Sequence, residues 1–336
     1  MTESHQTRRP LVIDCDPGID DMAAILLACA SPEVELLGIT TVAGNVSLEH
    51  TTRNALRILA LAGRQDIPVA PGAARPLVIP APRRSQTIHG DDGLGGLVLP
   101  DSDARPDPRG AVEFLAATVR ATPEPVTLVA VGPLTNVALF YALYPDLAAR
   151  LARLVVMGGS IGAGNVTPAA EFNVWHDPEA AYRVLTAPGL PRPVPTTLIG
   201  LDVTLTTALT PADLDTLRRS DGIGRVLADP FQRYLDSYRR VLGLEVVAVH
   251  DAVAVLEAVL PGSIQVQPAR VTVDTTLGPS RGNTAVDLRA EDGATAEPST
   301  VQVGVAADPR AIAEHLLTRL SSLPTRPGSG PGESAQ

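Results

Sequence analysis

Short apolar runs alternate along the chain with stretches whose apolar residues recur at helical spacing, and this alternation most constrains the fold. Buried strands are predicted at LVIDC (11–15), VELLGITTV (34–42), VTLVAV (126–131), LVVMGG (154–159) and TTLIGLDV (196–203). Strands that are apolar throughout and separated by helices indicate a parallel sheet covered on both faces. The sequence therefore predicts an α/β fold with an open, mostly parallel, Rossmann-like sheet and helices on both faces.

Helical patterns separate and follow these strands. The stretch 71–110 is rich in Pro and Gly with little periodicity, and we expect a functional loop that closes as a lid. Residues 264–305 indicate short strands and turns. Ligands of such sheets bind beyond the carboxyl ends of the strands. Helices are predicted at residues 20–30, 47–63, 133–150, 178–187, 211–219, 223–241, 250–259 and 309–320.

Composition indicates one globular domain. Residues 10–321 are assigned to it, and the polar segments 1–9 and 322–336 are predicted to be disordered. No apolar run reaches the roughly 18 residues that span a bilayer, and no signal-peptide pattern occurs, which predicts a cytoplasmic protein without a membrane partner. The net charge of −10 argues against nucleic acid as a partner. Lysine is absent, which excludes lysine Schiff-base chemistry and a P-loop.

The segment DCDPGIDD (14–21) places four acids within eight residues at the carboxyl end of the first strand. Its Pro-Gly pair predicts a tight turn that brings the acids together. Crowded carboxylates do not all ionise cheaply without a cation, and oxygen ligands favour calcium or magnesium over zinc. The alternative is that the last two acids only cap the following helix. The four acids are Asp14, Asp16, Asp20 and Asp21.

Further polar residues follow other predicted strands. Asp251 opens a helix after VVAV, and Asn45 follows the second strand. Asn165, Glu171 and Asn173 lie in a predicted loop after LVVMGG. Such groups suit the recognition of hydroxyls. Taken singly, each is equally consistent with helix entry, a turn or ordinary loop chemistry.

Together these segments resemble the inosine-uridine-preferring nucleoside hydrolase family, in family order and over about residues 11–320. The resemblance implies the nucleoside hydrolase fold and hydrolysis of the N-glycosidic bond of a small-molecule ribonucleoside. It also implies one calcium ion per subunit and a homodimer or homotetramer. The matching segments are DCDPGIDD, TTVAGN, IHGDDGLGG, VGPLTN, MGG, GNVTPAAEFNVWHDPEAA, GLDVT and VHD.

The resemblance implies a role for each of the polar residues around the ion. Asp16, Asp21 and Asp251 are the expected side-chain ligands of calcium, together with the carbonyl of Val131, where the family often has Thr. Asp16 is also the expected general base. Asp14 is expected to support these ligands from behind without touching the ion.

Substrate residues are implied in the same way. His250 is expected to donate a proton or hydrogen bond to the leaving base, and His89 to lie in the base pocket. Tyr234 and Tyr238 suit either the base pocket or the core. Because a purine-specific branch of the family lacks a histidine at the position of His250, inosine, uridine or cytidine is the expected substrate. The residues expected to contact ribose are Asp20, Asn45, Asn165, Glu171 and Asn173 through hydrogen bonds, and Met157 and Phe172 through packing.

Two other functions fit parts of the pattern. A nucleoside-binding protein without turnover would keep the calcium ligands but lose Asp16, Asn173 or His250, and all three are present. A phosphohydrolase with an aspartate nucleophile fits the Asp-x-Asp pair after the first strand. That chemistry normally needs a lysine, which this sequence lacks.

Overall fold

One twisted sheet organises the protein. The computed structural model describes residues 8–79, 88–187, 189–289 and 301–324. Within these ranges the sheet has nine strands in the order β3-β2-β1-β4-β5-β6-β9-β7-β8. Strands β1 to β6 and β9 are parallel, and β7 and β8 add an antiparallel edge, so the predicted open and mostly parallel sheet is confirmed. The strands are β1 (Arg9–Cys15), β2 (Val34–Thr41), β3 (Val69–Pro71), β4 (Thr127–Ala130), β5 (Arg153–Met157), β6 (Thr196–Ile199), β7 (Ile264–Val273), β8 (Thr284–Asp287) and β9 (Val301–Ala307).

Helices connect most of these strands and cover the sheet. None of the described helices combines the length and the apolarity needed to span a bilayer. They are α1 (Ile19–Ala30), α2 (Leu48–Leu61), α3 (Ala111–Ala121), α4 (Thr135–Leu143), α5 (Pro145–Ala148), α6 (Phe172–His176), α7 (Pro178–Thr186), α8 (Leu201–Thr204), α9 (Pro211–Arg218), α10 (Ile223–Leu242), α11 (His250–Val259) and α12 (Pro309–Ser322).

The sheet separates two apolar cores, and β1 contributes to both. Its residues Leu11 and Ile13 pack with α1, α10 and α11 on one face. The intervening Val12 packs with α3, α4 and α7 on the other face. Successive strand residues point to opposite faces, so a strand buried on both sides is apolar throughout. This is why the strands appear in the sequence as continuous apolar runs.

The chain order in the sheet reverses between β1 and β4. From β1 the chain adds β2 and β3 on one side, whereas β4, β5 and β6 lie on the other. Asp14 in β1 is in register with Ala130 in β4, and the Val131 amide donates to the Asp14 carbonyl at 2.8 Å. The two connections leave this junction in opposite directions, which opens a crevice at the carboxyl ends of the strands. Asp16 and Val131 follow the two strand ends at this crevice.

Three local predictions were wrong. The strand predicted over 196–203 ends at Ile199, and residues 201–204 form helix α8. A Cβ at Gly200 would lie 2.9 Å from the Gly159 carbonyl, so the chain needs glycine to leave the sheet here. The loop predicted over 165–177 contains α6, and residues 264–305 include a ten-residue strand, β7. Helix α3 was not predicted.

Residues at the predicted boundaries are partly ordered. Strand β1 begins at Arg9, one residue before the predicted domain start, and its guanidinium donates to the Val259 carbonyl. Helix α12 extends to Ser322, the first residue of the predicted tail. Residues 1–7 and 325–336 lie outside the described ranges. Part of the predicted lid, residues 80–87, also lies outside them, and lid closure stays a prediction.

Candidate active site

The turn between β1 and α1 builds the acidic part of the crevice. Asp16 follows the strand, Pro17 and Gly18 turn the chain, and α1 begins with Asp20 and Asp21 in its first turn. A Cβ at Gly18 would lie 2.7 Å from His89 Nδ1 and 2.8 Å from Asn45 Nδ2. Glycine is therefore required because other parts of the site approach the turn closely.

Hydrogen bonds hold the carboxylates of this turn in place. Asp21 Oδ2 accepts from the Gly18 amide at 2.8 Å, and its Oδ1 accepts from the Asp16 amide at 3.1 Å. Asp21 therefore caps α1, as the alternative interpretation held, while its carboxylate remains within the acidic group. Asp16 Oδ2 accepts from the Asn45 amide at 2.6 Å.

Asp251 reaches the same place from the far end of the chain. It lies in the first turn of α11, which packs against α1. Carboxylate oxygens of Asp20, Asp21 and Asp251 lie within 4.8 Å of one another, and all three residues are buried. The geometry thus includes Asp20 in the trio, whereas the sequence interpretation placed Asp16 beside Asp21 and Asp251 as a ligand. We call Asp14, Asp16, Asp20, Asp21 and Asp251 the acid cluster.

The acid cluster is electrically unbalanced in the protein alone. Burial raises the pKa of every member, to about 7 for Asp14 and well above the ordinary range for Asp16, Asp20 and Asp251. Repulsion from Asp21 raises the pKa of Asp16 and Asp20 further. Burial, and then repulsion from Asp20 and Asp21, likewise raise the pKa of Asp251. A cation would remove this cost by replacing the protons.

Asp14 lies behind the turn and is held from two sides. Its Oδ1 accepts from Thr40 Oγ1 at 2.5 Å and from Asn136 Nδ2 at 2.7 Å. Asn136 also donates to the Thr41 carbonyl at 3.0 Å and accepts from the Ala73 amide at 2.8 Å. These contacts connect β1, β2 and Ala73, which lies in the loop after β3. They fit the expected supporting position of Asp14.

The other wall of the crevice carries amides and carbonyls. Asn173 Nδ2 donates to the Val131 carbonyl at 2.9 Å, to the Met157 carbonyl at 3.2 Å and to Met157 Sδ at 3.4 Å. Glu171 caps α6 by accepting from the Asn173 amide, and it also accepts from the Gly159 amide at 2.9 Å. Burial raises the pKa of Glu171, and these backbone bonds oppose the shift. Glu171 therefore has a structural role in addition to its place in the cleft.

Rings and a loop form the opposite side, which we call the base side: His89, Tyr234, Tyr238 and His250. Tyr238 Oη lies 2.7 Å from His250 Nε2 and 3.5 Å from Tyr234 Oη, which in turn lies 3.5 Å from Asp20 Oδ2. His250 Nδ1 lies 2.7 Å from Thr204 Oγ1. A hydrogen-bonded chain thus runs from Asp20 to Thr204.

Neither histidine of the base side is a free cation. Burial lowers the pKa of His250 to about 4, so its ring is neutral near pH 7 and offers an N–H hydrogen bond instead of an imidazolium proton. His89 Nδ1 accepts from the Ile19 amide at 3.1 Å. That nitrogen therefore carries no proton, and its separation of 3.8 Å from Asp20 Oδ1 is not an ion pair in this state.

One cleft brings together the strand-end and base-side residues. It also includes Ile88, Arg240 and Val241, which the sequence interpretation missed. Val241 follows Tyr234 and Tyr238 at helical spacing, a signal that predicts a shared face of α10. Asp14, Asp16 and Asp21 lie beneath the lining. The predicted residues that line the cleft are Asp20, Asn45, His89, Val131, Met157, Asn165, Glu171, Phe172, Asn173, Tyr234, Tyr238, His250 and Asp251.

Comparison with known proteins agrees with this arrangement. The sequence model of the inosine-uridine preferring nucleoside hydrolase family matches residues 11–314. The non-specific ribonucleoside hydrolase RihC of Escherichia coli K12 is 43% identical over 304 residues, covering 90% of this chain and 94% of RihC. The pyrimidine-specific ribonucleoside hydrolase RihA of Photobacterium profundum is 42% identical over 285 residues, covering 83% of this chain and 89% of RihA.

Solved structures show the same fold. A plant nucleoside hydrolase, PpNRh1, superposes with a TM-score of 0.87 at 33% identity, covering 94% of this chain and 100% of that one. A purine-preferring ribonucleoside hydrolase from Gardnerella vaginalis gives a TM-score of 0.84 at 34% identity, covering 94% and 99%. The chain therefore belongs to the inosine-uridine preferring nucleoside hydrolase family and is a hydrolase of N-glycosidic bonds.

Proposed function

We propose that the protein uses a resident calcium ion to hydrolyse inosine, uridine and cytidine to ribose and the free base. One observation carries the proposal: a buried acid cluster, whose described hydrogen-bond donors are backbone amides and Thr, Asn and Tyr side chains, shares a cleft with a neutral, hydrogen-bonded base side. The first feature suits a cation and a sugar on which positive charge develops. The second suits a planar, uncharged base. Related proteins carry names ranging from pyrimidine-specific to purine-preferring, so the choice of base rests on His250.

The donor set fits a hard cation. Its side chains are carboxylates, and Asp20 Oδ1 is buried with no hydrogen-bond partner among the described residues. We propose Asp16, Asp21, Asp251 and the Val131 carbonyl as calcium ligands, with Asp20 near enough to share the ion. Calcium, when bound, orients water and the ribose hydroxyls and makes the water easier to deprotonate.

Asp16 is the proposed general base. The backbone amide of Asn45 donates to Asp16 Oδ2 at 2.6 Å, and this bond sets the orientation of the carboxylate. Burial, and then repulsion from Asp21, raise the Asp16 pKa in the protein alone, and a bound cation would restore the ionised carboxylate that a general base requires. The acid cluster also stabilises the positive charge that develops on the ribosyl ring.

Ribose recognition is assigned to five polar residues that line the cleft. Asn165 Oδ1 accepts a hydrogen bond from the backbone amide of Phe172 at 3.0 Å. This bond fixes the orientation of the Asn165 side chain, including its NH₂ group. We propose that Asp20, Asn45, Asn165, Glu171 and Asn173 bind the sugar hydroxyls. Met157 and Phe172 would pack against the ring.

The departing base is assigned to His250, with His89 and the tyrosines in the pocket. An ionised Asp20 only accepts hydrogen bonds, so Tyr234 donates to it and Tyr238 donates to Tyr234. His250 then donates from Nε2 to Tyr238, and Nδ1 accepts from Thr204. The chain thus places the His250 proton on Nε2, where Tyr238 accepts it, so His250 donates to a departing base only after that hydrogen bond opens.

A substrate panel tests the proposal. The protein is treated with a chelator, refilled with calcium or magnesium, and assayed for ribose released from uridine, cytidine, inosine and adenosine. We expect activity to disappear on chelation, return with calcium, and be weakest for adenosine. Binding of uridine without release of ribose would support a binding protein instead, and full activity without any divalent ion would contradict the assigned role of the acid cluster.

Assembly, location and pathway remain predictions. We propose a homodimer or homotetramer located in the cytoplasm and acting in nucleoside salvage or catabolism. Sedimentation velocity of the full chain tests the first of these directly. A single species of monomer mass at micromolar concentration would contradict it.

A further inference from the structure

Asn54 connects two parts of the site without lining the cleft. It lies on α2, a helix with no assigned functional role, and its side chain is buried at 2% exposure. Its Nδ2 donates to the Pro17 carbonyl at 3.1 Å and to the Asp92 carbonyl at 2.8 Å. Pro17 belongs to the turn between Asp16 and Asp21, and Asp92 follows His89 by three residues. One amide group therefore spans the acidic turn and the loop that carries His89.

The loop around His89, residues 88–97, is well organised and is called the His89 loop below. Asp92 Oδ1 accepts from the amides of Leu94 and Gly96, each at 3.0 Å. The Gly95 amide donates to the His89 carbonyl at 2.8 Å, and Arg233 donates to the Gly95 carbonyl. Because the loop is braced internally, a shift at Asp92 is transmitted to His89.

The His89 loop and the acidic turn also meet without room to spare. Gly93 has a φ of +85°, and a Cβ there would lie 3.0 Å from both Asn54 Nδ2 and the Pro17 carbonyl. On the far side of the same turn, the Ile19 amide donates to His89 Nδ1 at 3.1 Å. The distance between His89 and the acidic turn is therefore set by the two carbonyls, of Pro17 and Asp92, to which Asn54 donates.

We propose that Asn54 is a positioning residue that fixes His89 relative to the acid cluster by donating to the Pro17 and Asp92 carbonyls together. The proposal rests on the proposed function, because it assigns Asn54 to the contact between His89 and the base. Loss of the two hydrogen bonds removes the donor that the buried Pro17 carbonyl and the part-buried Asp92 carbonyl share, so we expect the loop to move away from the turn. Small displacements of this kind cost about 100-fold in rate.

The test uses Asn54→Leu, which keeps similar bulk but removes both donors. We expect kcat/KM for uridine to fall about 10- to 100-fold. Turnover of p-nitrophenyl riboside should fall much less, because its phenolate leaves without a proton or a base pocket. In a His89→Ala background the same change should cause no further loss. Equal losses on the two substrates, or losses that multiply in the double variant, would overturn the proposal.

A matched control lies one turn away on the same helix. Arg57 pairs with Asp101, so Arg57→Ala cuts another link between α2 and the segment after the His89 loop without touching Pro17 or Asp92. We expect Arg57→Ala to retain wild-type kinetics on both substrates. If Asn54→Leu does not fold, Asn54→Ser, which keeps a single donor, supports the same comparison.

Hydrogen exchange provides a readout independent of catalysis. The Ile19 and Gly95 amides both bond to His89, and we expect both to exchange faster in Asn54→Leu than in wild type or Arg57→Ala. Unchanged exchange at both amides refutes the positioning role. A wild-type protein that cleaves no nucleoside refutes the proposed function instead, and the exchange measurement then still decides the role of Asn54.

Discussion

The acid cluster and the base side share a cleft but differ in how they are built and balanced. The acid cluster stands on the end of β1 and on the first turns of α1 and α11, and two of its buried oxygens, Asp14 Oδ2 and Asp20 Oδ1, have no hydrogen-bond partner among the described residues. On the base side, Tyr234, Tyr238 and His250 bond to one another and to Thr204. The acidic half needs a partner from outside the chain, whereas the neutral half is complete by itself.

In the proposed function, this difference separates chemistry from selectivity. Strand ends in a buried sheet are rigid, so the groups proposed to activate water and bind the sugar are fixed by the core. Three of the four base-side residues are carried by α10 and the His89 loop, which can vary without disturbing the sheet, whereas His250 lies on α11 next to Asp251. Relatives named pyrimidine-specific, non-specific and purine-preferring share the family and fold, which agrees with this division.

The largest expected effect comes from the acidic half. Asp16→Asn preserves shape but removes the proposed base, so kcat should fall about 10²- to 10⁴-fold for uridine and p-nitrophenyl riboside alike. Steady-state kinetics with calcium in excess measure both. Wild-type rates would show that Asp16 is not the base. Asp251→Asn, as a companion, should weaken calcium binding in a calorimetric titration.

A change on the base side should be smaller and selective. His250→Asn removes the proposed donor to the leaving base, and we expect kcat for uridine to fall about 10- to 100-fold while p-nitrophenyl riboside keeps most of its rate. The ratio of the two rates is the measurement. A ratio unchanged from wild type would show that both halves act on the same step and would break the comparison.

Removing one hydroxyl from the hydrogen-bonded chain between Asp20 and Thr204 tests whether that chain orients His250. Tyr238→Phe deletes the group between Tyr234 and His250 while leaving the ring packing intact. We expect kcat for uridine to fall about 3- to 10-fold, because His250 keeps its nitrogen but loses the partner that selects its tautomer. Comparison with Tyr182→Phe, a tyrosine half-exposed on α7, separates this effect from a general loss of stability. A loss equal to that of His250→Asn would mean that Tyr238 itself contacts the base.

The smallest expected effect is the pH dependence of stability without calcium. Burial raises the folded pKa to about 7 for Asp14 and well above the ordinary value for Asp16, Asp20 and Asp251, so the folded state holds these protons more tightly than the unfolded chain. Stability then falls as pH rises through the folded values. The chelated protein should melt at progressively lower temperature as pH rises through about 7.

Two histidines act in the opposite sense, but at lower pH. Burial lowers the folded pKa of His176 and His250 to about 4 from 6.5, so their contribution is lost as pH falls through that interval and is complete above it. Calcium should raise the melting temperature by roughly a few degrees, and this increase should grow as pH rises. A calcium shift independent of pH would show that the acid cluster is already ionised without it.

Local patterns were enough for much of the fold and for the acidic turn. Continuous apolar runs predicted strands buried on two faces, because both faces of such a strand must be apolar. The segment DCDPGIDD predicted its own turn, because Pro and Gly favour a turn of the backbone there. Local patterns failed at Gly200 and over residues 165–177. At Gly200 the chain leaves the sheet because the Gly159 carbonyl leaves no room for a side chain, a cause that no short segment contains, and α6 has only five residues, too few to show a helical period.

Tertiary structure alone decided how distant parts meet. Asp251 joins Asp20 and Asp21 because α11 packs on α1, and the crevice opens because β4 follows β1 on the side opposite to β2. The sequence left Tyr234 and Tyr238 equally suited to core and pocket, and they are buried residues that also line the cleft. Strand order and helix docking depend on the burial of apolar surface over the whole chain. The sequence therefore named all five acids of the cluster, while packing determined which of them face one another.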